Sequence, residues 1–516
     1  MDESRQPVLV GSGQVTQREP DPARALDPAR LTAEAARRAA QDSGAGQSLL
    51  RALDAIISIR SFADTSWRFA CPFGASSNPP ATLARMIGAD RAGLLVYTHP
   101  GGNMPQWCLN RLGEQIAAGE LQAALVAGGE SLATQKAAQR AGLSLDWSDD
   151  PGGRAESWGV DKRGWSDLED RHGMRGAIFA YPLFEQAIRA ARGRDMASHQ
   201  QTIGQLLARF AAVAKVNPLA DRRAGYDAAT IATPGPDNPY IGFPYTRLMN
   251  ANAFIDQSAA VIMTSVAKAR ELGIPESRWV YLHGCADGHD HWYLTERERL
   301  NEAPAMREVF RRALAMAGVT MGEVATMDLY SCFSSAVEVA CESLDIDEDD
   351  PRGLTITGGL PYFGGPGNNY VTHSIAEMIH RLRNAPGTWG LVTANGNYLT
   401  KQSAGVYSTR APGAPFAPES PARLQAGLDA IPKAVIAEQA QGIGTIETWT
   451  VMNERSGPAW SIVLGRLEDG RRFIANTGRD PALLARMQEQ EMVGRRGRVS
   501  AGEDGVNRFE LIDTGH

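Results

Sequence analysis

Glu34-Ala-Ala-Arg37-Arg38-Ala-Ala-Gln-Asp-Ser-Gly44 and Glu308-Val-Phe-Arg311-Arg312-Ala-Leu-Ala-Met-Ala-Gly318 place Glu, Arg-Arg and a closing Gly at the same offsets. Each stretch reads as an amphipathic helix stopped by a glycine able to take the left-handed conformation just past a helix end. Each is followed by a strand candidate, Leu53 to Ile59 in the first case and Ala325 to Tyr330 in the second. A second echo comes later in each series: Ala124-Leu-Val-Ala-Gly128-Gly129 against Gly390-Leu-Val-Thr-Ala-Asn395-Gly396. Two echoes in one order at similar separations predict a duplicated βα unit.

Working outward, Pro7 to Gly11 and Gly93 to Tyr97 add strand candidates, and Met104 to Ala118 adds a helix. Strands alternating with helices of this length predict an α/β fold with a mostly parallel sheet covered on both faces. The region from about 142 to 245, rich in Trp, Arg, Asp and Pro, reads as an insertion with one good helix pattern, Met196 to Val216. Ala411 to Pro421 reads as a Pro-rich linker, and beyond it come five short strand candidates and one helix. The pair Asp469-Gly470 marks a tight hairpin, and the pattern suggests a small OB-like β-barrel. The expected domains are 1–265 (with the insertion at 142–245), 266–412, a linker at 413–430, and a barrel at 431–516.

The chain has 516 residues, 43% hydrophobic and 22% charged, with a formal net charge of −7. That composition belongs to an ordinary globular protein of several domains. The balance is slightly acidic and no long Lys/Arg run occurs, which argues against nucleic-acid binding. No stretch approaches the ~18 apolar residues of a membrane span. Met1-Asp2-Glu3-Ser4-Arg5 lacks the order of a signal peptide, so a cytoplasmic location is expected. The five cysteines (71, 108, 285, 332 and 341) show no CxxC spacing and are expected to be reduced thiols. His283 to His291 crowds metal-ligand residue types without a zinc spacing, so it reads as a polar loop and no metal is expected. Gly11-Ser12-Gly13 lacks a third glycine and reads as a turn.

Four local motifs resemble the thiolase superfamily, over roughly residues 5 to 410. Ala118-Gly119-Glu120 with Leu125-Val126-Ala127-Gly128-Gly129-Glu130-Ser131 resembles its AGE…VVAGGMES strand. Asn252 to Val261, holding Asp256-Gln257-Ser258-Ala259-Ala260, resembles its NDGAAA strand. Asp328-Leu-Tyr-Ser-Cys-Phe333 is similar to the HDCF form of the NEAF loop in sterol-carrier-type thiolases, and Gly358-Gly359 to Gly367 to GG…GHPxGA. With its appended barrel the chain is identified as a type-1 thiolase-like protein, of the kind labelled acetyl-CoA acetyltransferase. The resemblance implies a duplicated βαβαβ core layered α-β-α-β-α, acyl-CoA thioesters as substrate or ligand, no covalently bound cofactor, and a homodimer or monomer.

The family's chemistry needs a cysteine nucleophile at a helix start, a second cysteine as acid/base, and a histidine. Here the nucleophile position falls at Gly102, the histidine position at Gly365 and the second cysteine position at Ala394. Cys108, farther inside the helix, reads as a structural thiol. What is left for catalysis is Tyr330, at a strand end before a helix, which either moves a proton at a carbonyl or is a core tyrosine with a satisfied hydroxyl. Cys332, His373 as acid/base, and Asn103 as an oxyanion donor at the helix start complete the catalytic candidates. Gly102, Gly364, Gly365, Asn368, Asn369, Tyr370 and Asn395 are the candidate CoA- or substrate-binding residues. The functions these imply are thiolase-like C–C bond chemistry without the usual cysteines, retro-aldol cleavage of a β-hydroxyacyl-CoA by Tyr330, or CoA/acyl binding without catalysis.

Overall fold

A computed structural model describes residues 3–512. Its main sheet uses β1 (Pro7–Thr16), β2 (Ala55–Ser58), β3 (Leu94–Thr98), β4 (Ala123–Ser131), β5 (Glu156–Trp158), β6 (Asp256–Ser265), β7 (Val280–His289), β8 (Val324–Asp328), β9 (Trp389–Gly396) and β10 (Lys401–Ser408). Their order is β8-β9-β10-β7-β1-β6-β4-β2-β3-β5. Read outward from the antiparallel β1–β7 contact, both halves repeat one sequence: two antiparallel partners, then a parallel one. On one side β1 pairs β6, β6 pairs β4, and β4 runs parallel to β2. On the other β7 pairs β10, β10 pairs β9, and β9 runs parallel to β8. The two echoes land on equivalent elements of this two-fold arrangement and the duplicated α/β core is as expected, but the sheet is mixed rather than mostly parallel, with five of its nine neighbouring pairs antiparallel.

Of the helices, α1 (Pro28–Asp42), α2 (Met104–Ala118), α5 (Pro304–Ala317) and α7 (Tyr370–Asn384) pack on this sheet, while α3 (Ala177–Ala191) and α4 (Met196–Val216) pack on α6 (Ser334–Leu344), which in turn lies on α5. α1 lies on β1, β6 and β4, and α5 lies on the equivalent β7 and β10. Between the halves, α2 and α7 touch each other and strands of both, forming the central helical layer.

Two loop readings are corrected. Gly11-Ser12-Gly13 is not a turn but the middle of β1. A Cβ on Gly13 would run into the Ala35 carbonyl and come within 2.5 Å of the Ala39 nitrogen, so the glycines exist to let α1 approach the strand. Gly284 stands in the same relation to α5, where a Cβ would press on the Ala313 carbonyl and lie 2.8 Å from the Ala317 nitrogen. That glycine belongs to the stretch 283–291, most of which is strand β7 rather than a loop. Its His283 and His291 bind the carbonyls of Arg410 and Ile431. Within 413–430, residues Pro421–Asp429 form helix α8, which is docked on β7 through buried Leu424 and Leu428.

The second sheet contains β11 (Gly442–Glu454), β12 (Gly457–Leu467), β13 (Arg472–Ala475), β14 (Arg496–Ala501) and β15 (Asn507–Leu511), with helix α9 (Pro481–Glu489) between its third and fourth strands. β11 pairs both β12 and β14, β12 pairs β13, and β14 pairs β15. Asn476, just past β13, closes the ring by exchanging backbone hydrogen bonds with Asn507 and Phe509 (3.0 and 2.9 Å). This closed five-stranded Greek key is the expected OB-like barrel. Among the described residues no helix is long and apolar enough to cross a membrane.

Candidate functional site

The site forms where the loop Thr98–Asn103 enters α2 and meets the ends of β8 and β9. β8 stops at Asp328, whose buried carboxylate accepts from Ile356 N (2.9 Å), Thr355 Oγ1 (3.0 Å), Ser374 Oγ (2.9 Å) and Tyr370 Oη (3.0 Å). These bonds fix the turn that presents Tyr330, whose own N–H donates to Thr393 Oγ1 of β9 (3.0 Å). The Tyr330 ring lies edge-on to Tyr370, and its hydroxyl lies against Gly102. A Cβ at Gly102 would be only 2.6 Å from Tyr330 Cζ, closer still to Tyr330 Oη, and 2.6 Å from the Asn395 carbonyl oxygen. The tyrosine thus fills the space a nucleophilic side chain at 102 would need. Burial pushes its phenol well above the usual range, with a further push from neighbouring Cys332, so it stays protonated near neutral pH.

Four polar residues, Asn395, Asn103, Lys401 and Asn368, surround the glycine loop. Asn395 donates from Nδ2 to Tyr181 Oη (2.9 Å), and Tyr181 stacks on Phe333 at 4.6 Å, next to Cys332. Asn395 Oδ1 is buried with no partner, and so is Asn103 Oδ1, which lies beside Gly101 and Gly396. Lys401, at the start of β10, reaches in so that Nζ donates to the Pro100 carbonyl (2.5 Å). Asn368 Oδ1 accepts from Gly101 N (2.9 Å) while its amide donates to the Arg60 carbonyl (2.8 Å), which pins the glycine loop from the second half.

The structure therefore brings together Tyr330, Gly102, Asn103, Asn368, Asn395 and, through Tyr181, Cys332. Burial pushes the Cys332 thiol up to about 12, which leaves it a poor nucleophile. Other candidates are engaged elsewhere. His373 faces β1, bonded at Nδ1 to Gln14 Oε1 (2.8 Å) and packed on Phe363, and burial drives it down to about 3. Tyr370 spends its hydroxyl on Asp328 and Thr357. Gly364 lies against Gln257, Gly365 donates its N–H to the Asn252 carbonyl (2.9 Å), and Asn369 donates to the Gly128 carbonyl (2.6 Å). These loop residues join the two halves. Tyr181 and Lys401 are site residues that no sequence motif singled out.

A duplicated core with a pocket at the α2 N-terminus defines a thiolase-like protein. Residues 423–504 match the family model described as the thiolase-like protein type 1 additional C-terminal domain. Along 99% of its length the chain is 37% identical to a monomeric SCP2-thiolase-like protein type 1 from Mycobacterium smegmatis, covering 100% of that chain with a TM-score of 0.85. This chain belongs to the type-1 SCP2-thiolase-like proteins. It is also similar to a "Probable acetyl-CoA acetyltransferase" of Mycolicibacterium smegmatis (25% identity over 136 residues, 26% of this chain). A 3-ketoacyl-CoA thiolase of Cronobacter sakazakii is 26% identical over 195 residues, 35% of this chain. The matched regions span 32% and 38% of those two proteins' own lengths.

Proposed function

We propose that this chain is an enzyme that makes or breaks a C–C bond in an acyl-CoA thioester without forming an acyl-cysteine. The observation carrying this reading is the Tyr330 hydroxyl lodged against Gly102. A protonated phenol there is a hydrogen-bond donor for the thioester or enolate oxygen. The unpartnered side-chain oxygens of Asn103, beside Gly101 and Gly396, and of Asn395 need N–H or O–H donors. A pantetheine amide or a β-hydroxyl group would supply them. The retro-aldol variant has specific support, since it needs an enolate stabiliser and proton transfers but no thiolate, and the one thiol near the site is held protonated.

The proposed substrate is a CoA thioester, in a soluble, cytoplasmic setting. We infer a working monomer, because the insertion lays β5 along β3 and covers the sheet edge that two copies would otherwise share. The test is a panel of β-ketoacyl- and β-hydroxyacyl-CoA substrates with wild type and Tyr330→Phe. Turnover of one class should fall by roughly 10²–10⁴ in the variant. Radiolabelled acetyl-CoA should leave no label on the denatured protein. CoA binding with no turnover of either class would establish a binding protein and overturn the enzymatic reading.

A further inference from the structure

The chain holds only six lysines, at 136, 162, 215, 268, 401 and 433. Lys268 and Lys433 form ion pairs with Glu271 and Glu296 at the surface. Lys401 differs: it is 6% exposed, and its one hydrogen-bond partner is the neutral Pro100 carbonyl. A Cβ on Gly101 would lie 2.5 Å from Lys401 Nζ and 2.6 Å from Asn103 Oδ1, so the amine and the unpartnered amide oxygen face one small volume. A cavity of about 330 Å³ opens beside them, lined by Lys401, Asn103, Met104, Trp107, Trp158 and Val160. Two indoles and a methionine give it apolar walls, the Arg111 guanidinium lies over both indoles (5.9 Å from Trp107 and 4.6 Å from Trp158), and the amine and the amide oxygen give it a polar end. Burying an ammonium with only a carbonyl for company favours the neutral amine, and burial lowers Lys401 to about 8.

We propose that Lys401 is a second reactive group, an amine that condenses with the carbonyl of an aldehyde or ketone lodged in this cavity to form an imine. The nitrogen lone pair attacks the carbonyl carbon, and the C=O π pair moves to oxygen, which takes up a proton. The resulting carbinolamine loses water as the C=N bond forms, and the nitrogen gives up its remaining protons in balance: amine plus carbonyl yields imine plus water. Asn103 Oδ1 is placed to accept from the N–H or the carbinolamine O–H during this sequence. The indole and methionine walls select a carbonyl compound with an apolar or aromatic body. The inference shares Asn103 Oδ1 with the CoA reading but requires neither a thioester nor Tyr330, so a Tyr330 variant separates the two.

The test uses the full chain with benzaldehyde and sodium cyanoborohydride at pH 7.5, followed by intact mass and peptide mapping. At this pH an amine titrating near 8 is unprotonated on the order of a hundredfold more often than an ordinary surface lysine. The expected result is one benzyl increment, mapped to Lys401, absent in Lys401→Arg and retained in Tyr330→Phe. Labelling spread over the surface lysines with Lys401 untouched would overturn the proposal, as would undiminished labelling of Lys401→Arg. Because the wild-type map alone can refute it, a poorly folded variant does not shelter the idea. Loss of CoA-ester turnover in Tyr330→Phe with labelling intact would separate the two sites' fates.

Discussion

Restoring a side chain at position 102 is the sharpest probe of the site. Gly102→Ala adds one carbon, 2.6 Å from both Tyr330 Cζ and the Asn395 carbonyl oxygen and nearer still to Tyr330 Oη, where real Cβ contacts are essentially never found. One of these neighbours is backbone at the end of β9 and cannot swing away. The other is a tyrosine closed in by Tyr370 and Gly102. Overpacking of this kind costs about 1–3 kcal/mol. Chemical denaturation should therefore show Gly102→Ala less stable than wild type by that amount. The pair Gly102→Ala and Tyr330→Ala should couple favourably, by roughly 0.5–3 kcal/mol, because removing the ring relieves much of the clash. Gly102→Cys should not regain the acyl-enzyme step: its thiol has no space while Tyr330 is present, so radiolabelled acetyl-CoA should leave no stable label. A Gly102→Ala protein as stable as wild type, or a Gly102→Cys protein that carries acetyl label, would refute the claim that the tyrosine occupies the nucleophile's place.

Two further outcomes can be read on stability alone. His172 donates through Nδ1 to the Leu168 carbonyl and accepts from Asn507 N at Nε2 (2.7 and 2.9 Å), so it must be neutral, and burial lowers it to about 4. The unfolded chain takes up this proton near 6.5, so the stabilisation is complete above that pH and is lost as pH falls toward 4. It is worth about 3 kcal/mol, and limited proteolysis at pH 5 should open the barrel in wild type with a smaller pH effect in His172→Gln. Gly13→Ala and Gly284→Ala press a Cβ on helix backbone at equivalent places of the two halves, so thermal unfolding should show each destabilised by at least 1–3 kcal/mol. A neutral result at either position would break the equivalence.

What the sequence reveals follows the range of the forces involved. The helix echoes are local patterns of 3.6-residue periodicity and glycine stops, and they locate α1 and α5 and the duplicated core directly. Tyr330 is legible because a short motif at a strand end is also local. The purpose of Gly11 and Gly13 is tertiary, since their neighbours on α1 lie more than twenty residues away, and a glycine pair without that knowledge reads as a turn. His373 looks like an acid/base group only until Gln14 arrives from the other end of the sequence and Phe363 folds back over it. Lys401 in Thr400-Lys401-Gln402 resembles any solvated charge. Its burial comes from packing β10 against the Gly101–Asn103 loop some 300 residues earlier. The scarcity of lysine, next to Asn395-Gly396, was the one signal available.

The appended barrel is mechanically part of the site rather than a passenger. β11 pairs with the short strand Tyr240–Gly242 of the insertion, and Phe243 N donates to the Val451 carbonyl (2.9 Å). Thr448 of the same strand donates to the Leu183 carbonyl of α3 (2.6 Å), and fully buried Trp449 sits beside the Arg189 guanidinium of that helix. Arg472 holds the other side, donating to Glu447 (2.8 Å) and to the Glu298 carbonyl of the second half (2.9 Å). α3 carries Tyr181, two residues before Leu183, and Tyr181 binds Asn395 next to Cys332. Displacing the barrel would free α3 and with it Tyr181, which adds to the Thr393–Tyr330 bond in tying the β9 end to the Tyr330 turn. A substitution at Thr448, remote from any substrate, is therefore expected to act through Tyr181. Thr448→Val removes the bond to Leu183 while keeping the side chain's shape, so it should loosen the site at a cost of about 1 kcal/mol or more.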